Sequence, residues 1–340
     1  MGKTIESGKI IESILDVNVN AFFRLHDFLG PQRDVYLKLE GLNPAGSIKF
    51  KPARHMMQDL EERGIIQPGR NKILESSSGN LGVALALVCK VKGYPFTCIT
   101  DPNANPAHLA HIRRYGGEVI VVTQRDANGG FLLTRFECIH QMQRDDPTYV
   151  WTNQYANPAN PQSHYCTTGP EIHTTFPHVD YLFIGAGTTG TLVGCARYFR
   201  EHAPRTTIIA VDSVGSVTWG DPPATRHIPG LGTSRPPEIS AAVATLQPTP
   251  IRDIVMMPEV DTARMCYEVL DRYSLWVGGS TGTVLCGVRR YQDYLPAEAT
   301  VVAISPDLGE RYADTVYNPA WVAEKFGLHI ADPVLAGVSL

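Results

Sequence analysis

One lysine follows a tight turn in a way that suits covalent chemistry. The run Asn43-Pro-Ala-Gly-Ser-Ile-Lys49 places Lys49 just after an Asn-Pro-x-Gly-Ser turn, and the strand-like run Val35–Leu39 leads into that turn. A lysine amine at the mouth of a cleft, partly removed from water, can be neutral near pH 7 and form a Schiff base. Most lysines are solvated surface charges instead, so this interpretation depends on what surrounds Lys49.

A glycine-rich turn offers a site for a phosphate group. Gly185-Ala-Gly-Thr-Thr-Gly-Thr191 follows a predicted strand and precedes a predicted helix. Its backbone N–H groups and the helix N-terminus can hold a dianionic phosphate. The alternative is a strand-to-helix turn in which glycine serves packing alone. The loop lacks the Gly-Lys-Ser/Thr of a Walker loop and fits a dinucleotide fingerprint poorly.

A serine-rich turn offers a site for a carboxylate. Ser76-Ser-Ser-Gly-Asn-Leu-Gly82 also joins a predicted strand to a predicted helix, and its hydroxyl and N–H groups suit a carboxylate or a phenolic oxygen. The alternative is an ordinary helix N-cap. Taken together, the lysine and the two turns favour pyridoxal 5′-phosphate (PLP), a phosphate-bearing aldehyde cofactor.

Alternating strands and helices position these groups. Helices are predicted at 80–92 and 106–115, and apolar strands at 71–75, 95–100, 118–123, 180–184, 206–212 and 299–305. Such alternation indicates an open α/β sheet with ligands at the carboxyl ends of the strands. Two groups of these units flank the Asn/Pro-rich residues 153–161. We therefore predict two open, twisted α/β domains with PLP in the cleft between them, and loops over 215–237.

Composition limits the function classes. The chain has 340 residues and a net charge of −4, which gives nucleic-acid binding no electrostatic basis. No apolar stretch is long enough for a membrane span, and the N-terminus lacks a signal core. The seven cysteines form no CxxC pair, which is typical of reduced thiols in a cytoplasmic protein. No metal-ligand spacing is present.

Several of these motifs together resemble those of a known group of enzymes. The chain resembles the fold-type-II, β-replacing PLP enzymes, the cysteine synthase and cystathionine β-synthase group with the tryptophan synthase β-subunit fold. The resemblance runs from about residue 11 to about residue 317 and rests on six motifs in order: 43–49, 77–82, 154–160 with His164 and 167–172, 185–191, 278–282 and 306–312. We predict a larger phosphate-binding domain (1–45 and 160–330), a smaller mobile domain with the carboxylate loop (46–159) and a tail (331–340).

The resemblance implies a role for each matching residue. Lys49 would bind PLP as a Schiff base and then move the substrate α-proton, Asn80 would contact the phenolic oxygen, and Ser280 would face the pyridine nitrogen. The implied phosphate ligands are Gly187, Thr188, Thr189, Gly190 and Thr191. The implied ligands of the substrate α-carboxylate are Ser77, Ser78, Asn80 and Gln154. A neutral hydroxyl at the pyridine nitrogen favours β-elimination over transamination.

Other readings stay open for several of these residues. Ser280 is alternatively a helix cap, and Gln154 an ordinary loop amide. We expect His164 to be structural, and Arg311 and Tyr312 to brace a sheet edge.

Two positions depart from the group pattern. Phe50-Lys51 stands where many relatives have Asp-Arg, so the support of the lysine helix must differ. Leu81 stands where cysteine synthases usually have threonine, which weighs against simple use of O-acetylserine.

Four further stretches resemble one subgroup, the N-(2-amino-2-carboxyethyl)-L-glutamate synthases of 2,3-diaminopropionate biosynthesis for siderophores and antibiotics. They are residues 100–109, 126–135, 212–221 and 229–238. The resemblance implies O-phospho-L-serine and L-glutamate as substrates, reacting through an aminoacrylate. It also implies a homodimer and suggests a downstream dehydrogenase as a partner.

Two anionic substrates call for an extra cation in the cleft. Arg235 is the first candidate and Arg135 the second, because a guanidinium suits phosphate or carboxylate. Arg235 is alternatively a surface arginine. The alternatives for the whole chain are a cysteine synthase, which uses sulfide, and a non-catalytic protein with the PLP-enzyme fold.

Overall fold

The computed structural model describes residues 11–126 and 129–330, which form two β-sheets. The larger sheet has the strand order β1-β2-β10-β7-β8-β9; β1 runs antiparallel to β2, and the other neighbours are parallel. Its strands are β1 (Phe22–Leu25), β2 (Val35–Leu39), β7 (Tyr181–Gly185), β8 (Thr207–Ser213), β9 (Ile251–Met257) and β10 (Val301–Ser305). The smaller sheet is parallel, with the order β5-β4-β3-β6. Its strands are β3 (Lys72–Ser76), β4 (Phe96–Thr100), β5 (Glu118–Val121) and β6 (Tyr149–Trp151).

The helices lie mostly between consecutive strands, as parallel sheets require. They are α1 (Phe50–Glu62), α2 (Asn80–Lys92), α3 (Pro106–Arg114), α4 (Leu132–Asp145), α5 (Ala159–Cys166), α6 (Thr168–Thr175), α7 (Gly190–His202), α8 (Ala241–Thr245), α9 (Glu259–Tyr273), α10 (Gly279–Arg290) and α11 (Pro319–Phe326). Within the described ranges, none of these helices is long and apolar enough to cross a membrane.

Both faces of each sheet are buried. In the larger sheet, Leu182 and Phe183 are neighbours on β7 but belong to two different apolar clusters. In the smaller sheet, Ile73 and Leu74 on β3 divide in the same way. Side chains alternate between the faces of a strand, so helices that cover both faces explain why these strands read as continuous apolar runs.

The helix α2 illustrates how burial replaces amphipathic patterning. Nine consecutive residues of this helix are buried, from Leu81 to Cys89. It ends at Gly93, which has a φ of 76° and donates its N–H to the Cys89 carbonyl. A left-handed residue at this position is the common glycine stop of a helix.

The predicted alternation is confirmed, and each predicted strand coincides with an observed one, whereas β1, β6 and β9 were not predicted. The strands β3 to β6 fall within residues 46–159, and the strands of the larger sheet fall outside that range. The predicted domain limits themselves stay a prediction. Residues 215–237 contain no helix or strand, as expected. The N-terminal residues 1–10 and the predicted tail 331–340 lie outside the described residues.

All seven cysteines are free thiols in the described structure, and their exposure differs sharply. Five are buried, Cys138 is partly buried, and Cys166 at the end of α5 is exposed. Burial raises the pKa of the Cys98, Cys195 and Cys286 thiols to about 12. These buried side chains therefore serve as small apolar core residues.

Candidate active site

A cavity of about 760 Å³ lies between the two sheets. The residues that line it follow the carboxyl ends of strands from both sheets. Ser77 to Leu81 follow β3, Asp101 to His108 follow β4, Gly187 and Thr188 follow β7, and Lys49 follows the turn after β2. This is the edge at which open α/β sheets bind ligands.

Lys49 is held by a turn with two left-handed residues. Ala45 has a φ of 62° and Gly46 a φ of 69°, a conformation that is uncommon for alanine. The guanidinium of Arg311 donates a 2.6 Å hydrogen bond to the Ala45 carbonyl. Ile48 donates its N–H to the Pro306 carbonyl at 2.8 Å. The turn is therefore fixed from the β10 side, and Lys49 lies immediately before α1.

The amine of Lys49 is suited to nucleophilic attack. Burial lowers its pKa from 10.5 to about 8, although the Glu75 carboxylate acts in the opposite direction. Burial raises the pKa of Glu75 itself, although the Thr152 hydroxyl donates to it at 2.6 Å. A lysine with a pKa near 8 is partly neutral at physiological pH, as Schiff-base chemistry requires.

Lys51 has a different task. Its Nζ lies 2.7 Å from Glu40 and 2.6 Å from Glu171, and Lys38 lies 2.7 Å from the same Glu171 carboxylate. Burial lowers the pKa of Lys51, but Glu40 and Glu171 outweigh it, so the net pKa is raised. Lys38, Glu40, Lys51 and Glu171 therefore form a buried quartet of charges that supports the start of α1. Lys51 belongs to the Phe50-Lys51 pair that replaces the Asp-Arg of many relatives.

The predicted carboxylate loop is pre-ordered by its own side chains. The Ser77 hydroxyl accepts the N–H groups of Gly79 (3.2 Å) and Gly82 (3.0 Å), which ties the loop to the first turn of α2. Ser78 donates to Asp101 at 2.7 Å, and Gln154 donates to the Ser76 carbonyl at 3.2 Å. The N-cap residue of α2 is Gly79, so the alternative of a serine N-cap is wrong at Ser77, and the loop lines the cavity.

Asn80 connects this loop to the larger sheet. Its Nδ2 donates to Asp307 at 2.7 Å, and its Oδ1 accepts from Arg311 at 2.7 Å. Asp307 also accepts from the Tyr312 hydroxyl. Burial raises the pKa of Asp307, and Tyr312, Asn80, Arg311 and Ser280 offset part of that rise. The amide of Asn80 is therefore fixed at the cavity wall.

The predicted phosphate loop forms a tight cradle between β7 and α7. A Cβ atom on Gly187 would lie 2.9 Å from the Gly230 carbonyl oxygen, so only glycine lets the two loops approach this closely. Thr189 has a φ of 63°, and Asn160 donates to the Thr188 hydroxyl at 3.3 Å. These backbone groups lie at the N-terminus of α7, where a phosphate is favoured.

The outer part of the cradle is braced by His164. Its ring contacts the Thr191 hydroxyl at 3.2 Å and the Thr168 hydroxyl at 2.9 Å. Of the five predicted phosphate ligands, Gly187 and Thr188 line the cavity, while Thr189, Gly190 and Thr191 continue behind them into α7.

Ser280 lies in the first turn of α10 at the cavity wall. It is 4% exposed and packs beside Gly230, whose φ of +111° brings the 226–233 loop against it. The structure thus brings Lys49, the two loops and Ser280 around one cavity, as the sequence predicted.

The predicted substrate-binding residue Arg235 does not line the cavity. Its side chain is about half exposed and lies 3.3 Å from Glu238, outside the cavity lining. Arg135 instead lines the cavity, lies 3.2 Å from Asp101 and donates to Ser78 at 2.5 Å. The second sequence candidate thus lies at the carboxylate loop, because α4 packs against the smaller sheet.

Sequence reasoning did not single out Asp307, His108 or Arg226 at this site. His108 and Arg226 line the cavity. Asp307 stands in the 306–312 motif, so its position indicated a site. His108 lies in the subgroup stretch 100–109, and Arg226 lies between the stretches 212–221 and 229–238, but neither has a further local signal.

Comparison with known proteins identifies the family. The family model "Pyridoxal-phosphate dependent enzyme" matches residues 19–307. This chain is a member of that family. It is 42% identical to the N-(2-amino-2-carboxyethyl)-L-glutamate synthase of Ralstonia nicotianae over 301 residues, which cover 88% of this chain and 86% of the relative.

Solved structures show the same fold. An O-ureido-L-serine synthase matches with a TM-score of 0.82 and 28% identity, covering 96% of this chain and all of that one (100%). An O-acetylserine-dependent cystathionine β-synthase from Helicobacter pylori matches with a TM-score of 0.82 and 25% identity, covering 91% of this chain and 99% of that one. The predictions of PLP fold type II, of a β-replacing PLP enzyme and of PLP as cofactor are confirmed.

The cavity of this PLP-dependent enzyme fits its cofactor on structural grounds. A lysine with a lowered pKa, a glycine cradle at a helix N-terminus and a buried hydroxyl at Ser280 surround one space. The role of each residue remains a prediction, as do the homodimer, the cytoplasmic location and the downstream dehydrogenase.

Proposed function

We propose that this enzyme joins the amino group of L-glutamate to Cβ of O-phospho-L-serine, giving N-(2-amino-2-carboxyethyl)-L-glutamate and phosphate. The observation that carries the proposal is the buried guanidinium of Arg135, 2.5 Å from Ser78 in the predicted carboxylate loop. A cation beside the loop that receives the first substrate suits a substrate with an anionic leaving group. The 42% identical relative of that name supports the same reaction.

We propose that the loop of Ser77, Ser78, Asn80 and Gln154 orients the first substrate by its α-carboxylate. The N–H groups at the start of α2 supply the partial positive charge for that carboxylate. Ser77 and Gln154 act by fixing the loop backbone, since their side chains already have partners within the protein.

Lys49 moves the proton in this proposal. Bound PLP withdraws electrons from the substrate Cα, so that the α-proton becomes acidic and the Cβ substituent can leave. The Lys49 amine takes the α-proton as the Cβ–O bond to phosphate breaks. Glutamate's nitrogen then forms the new bond to Cβ and loses a proton, and Lys49 returns a proton to Cα.

Water must be kept from Cβ between these two steps. The cavity is bounded by residues from both sheets, so movement of the smaller sheet toward the larger one would close it. Closure of this kind protects reactive intermediates from hydrolysis.

The test uses the PLP-loaded protein with O-phospho-L-serine and either L-glutamate or sulfide. We expect phosphate release and a glutamate adduct, identified by mass, at a higher rate than cysteine formation. Cysteine without any adduct would contradict the proposal and favour a cysteine synthase. O-acetyl-L-serine in place of O-phospho-L-serine tests the leaving group separately, and we expect it to react more slowly.

A further inference from the structure

Three cationic side chains line the cavity: Lys49, Arg135 and Arg226. One of them has neither an ion pair nor a role in the proposed chemistry. Lys49 is the Schiff-base lysine of the proposed chemistry, and Arg135 is paired with Asp101. Among the described residues Arg226 forms no ion pair, and its buried Nε has no hydrogen-bond partner. A buried guanidinium N–H without an acceptor is costly unless a ligand satisfies it.

We propose that Arg226 binds the side-chain carboxylate of the incoming amino acid, L-glutamate. This inference rests on the proposed function and extends it, because it assigns the second substrate's charge to a particular residue. A carboxylate is the chemical group that a planar guanidinium recognises with two parallel hydrogen bonds.

The guanidinium is held in place by the protein. Its Nη1 donates to the Leu231 carbonyl at 2.8 Å. Glu259 accepts the backbone N–H groups of His227 (2.7 Å) and Ile228 (2.9 Å), which ties the same loop to α9. The side chains of Ile228 and Leu231 are buried in the core. Arg226 is therefore ordered before any substrate binds, which lowers the entropic cost of binding.

Two carboxylates, Asp212 and Glu259, act electrostatically on Arg226, but neither forms an ion pair with it among the described residues. Glu259 accepts the two N–H groups just described, and Asp212 accepts the Ser213 N–H at 2.7 Å. Burial lowers the pKa of Arg226, with Asp212 and Glu259 acting in the opposite direction. A guanidinium remains charged at neutral pH even so.

Arg226 and Arg135 belong to different walls of the cavity. Arg135 is on α4 and contacts the carboxylate loop after β3, whereas Arg226 is on the loop between β8 and β9, in which Gly230 lies close to Gly187. Tyr155 lies within electrostatic range of both guanidinium groups. The first substrate occupies the Arg135 side in the proposed function, so Arg226 remains for the second.

The experiment compares Arg226→Gln with the wild type at saturating O-phospho-L-serine. L-Glutamine, the neutral isostere of L-glutamate, is the reference amine. We expect kcat/KM for L-glutamate, and its ratio to that for L-glutamine, to fall about 10- to 100-fold, the range of a charge-assisted hydrogen bond. Phosphate release from O-phospho-L-serine without any amine is measured alongside, because it reports the first half of the reaction separately from binding of the amine.

Two further variants keep the test decisive. Arg264→Gln, an exposed arginine paired with Asp261, should behave as wild type. Arg226→Lys keeps the positive charge but loses the paired N–H donors of the guanidinium, so it should recover part of the preference for L-glutamate. If Arg226→Gln does not fold, Arg226→Lys is compared with the wild type instead.

Two results would overturn the inference: an unchanged glutamate-to-glutamine ratio, or loss of phosphate release from O-phospho-L-serine alone with an unchanged KM for L-glutamate. Failure of the proposed function is distinct, because the wild type would then form no glutamate adduct at all.

Discussion

At the scale of single residues, two lysines only two positions apart show how their surroundings determine their tasks. Lys49 lies near one carboxylate, Glu75, and its pKa falls to about 8. Lys51 lies between two carboxylates at 2.6 and 2.7 Å, and its pKa is raised. One amine is thus available for reaction while the other is a permanent charge in the framework.

The pH dependence of cofactor capture follows from the first of these values. Covalent binding of PLP to the cofactor-free protein should accelerate as the pH rises toward about 8 and level off above it, because only the neutral amine attacks the aldehyde. Visible absorbance gives the rate, and borohydride reduction followed by mass spectrometry locates the bond. Lys49→Ala should show no added mass, whereas Lys90→Ala, on the exposed end of α2, should match the wild type. A rate that keeps climbing toward pH 10.5, the ordinary lysine value, would refute the lowered pKa.

The contribution of Arg135 can be separated from that of Arg235. Arg135→Gln should raise KM for O-phospho-L-serine about 10- to 100-fold, since a charge-assisted contact to the phosphate is lost. The KM for neutral O-acetyl-L-serine should change much less. Arg235→Gln should alter neither value by more than about twofold, because an exposed ion pair contributes little.

Steady-state kinetics with both substrates measures these effects. Equal losses for the two substrates in Arg135→Gln would mean that Arg135 acts by holding Ser78. A loss confined to Arg235→Gln would reinstate the sequence-based candidate.

At the scale of elements, the buried quartet of Lys38, Glu40, Lys51 and Glu171 joins three parts of the fold. Lys38 lies on β2, Lys51 on α1 and Glu171 on α6. All four side chains are nearly inaccessible to water. Each charge is tolerated only because the others neutralise it.

Removal of one member should therefore be costly. Lys51→Met should lower the free energy of unfolding by about 3–5 kcal/mol, because two buried carboxylates would then share the single amine of Lys38. Urea denaturation measures the change. Lys72→Met is the matched control: its pair with Asp146 is partly exposed to solvent, so the loss should be much smaller. A similar loss for both variants would show that the quartet does not stabilise the fold.

Fully buried strands were predicted correctly from the sequence, because burial on both faces makes them continuous apolar runs. All five residues of β4 and of β10 are buried, and both strands were predicted. The edge strand β9 was missed, since Arg252 and Asp253 interrupt it and its register shifts beside Ile208 and Ile209. The strand β6 was also missed, because it is only three residues long and a periodic pattern cannot be recognised over so short a segment.

At the scale of the whole molecule, Arg311 links the two sheets. Its guanidinium donates to Ala45 in the lysine turn and to Asn80 at the start of α2, and its carbonyl accepts from Asn105 before α3 at 2.7 Å. The predicted bracing role understated this residue, which orders both Lys49 and Asn80.

A lysine cannot reproduce that geometry, because a single ammonium replaces a planar fork. Arg311→Lys should lower the free energy of unfolding by about 1–3 kcal/mol and weaken PLP binding. Urea unfolding and equilibrium dialysis measure the two effects. Arg264→Lys, an exposed arginine, should change neither. Full stability with normal PLP affinity in Arg311→Lys would contradict the linking role.

Local motifs predicted much of the site, and long-range contacts account for the rest. Lys49, Asn80, the phosphate loop and Ser280 each stand in a short motif that can be read from neighbouring residues. The hydrogen bond between Arg311 and Asn80 joins residues 231 positions apart. Arg226 lines the cavity because of the path that the loop between β8 and β9 takes, which local sequence does not determine. Arg235 was favoured over Arg135 because sequence alone does not show which way a loop arginine points.

Because the cysteines differ in exposure, their reactivity can report local opening of the fold. A thiol reagent at limiting concentration should modify Cys166 first, because the remaining thiols are shielded to different degrees. A dye attached there would sit at the end of α5, the helix that follows the return of the chain from the smaller sheet. The buried thiols become reactive only when their surroundings open. Counting the modified sites over time would therefore follow the opening of each core without any engineered label.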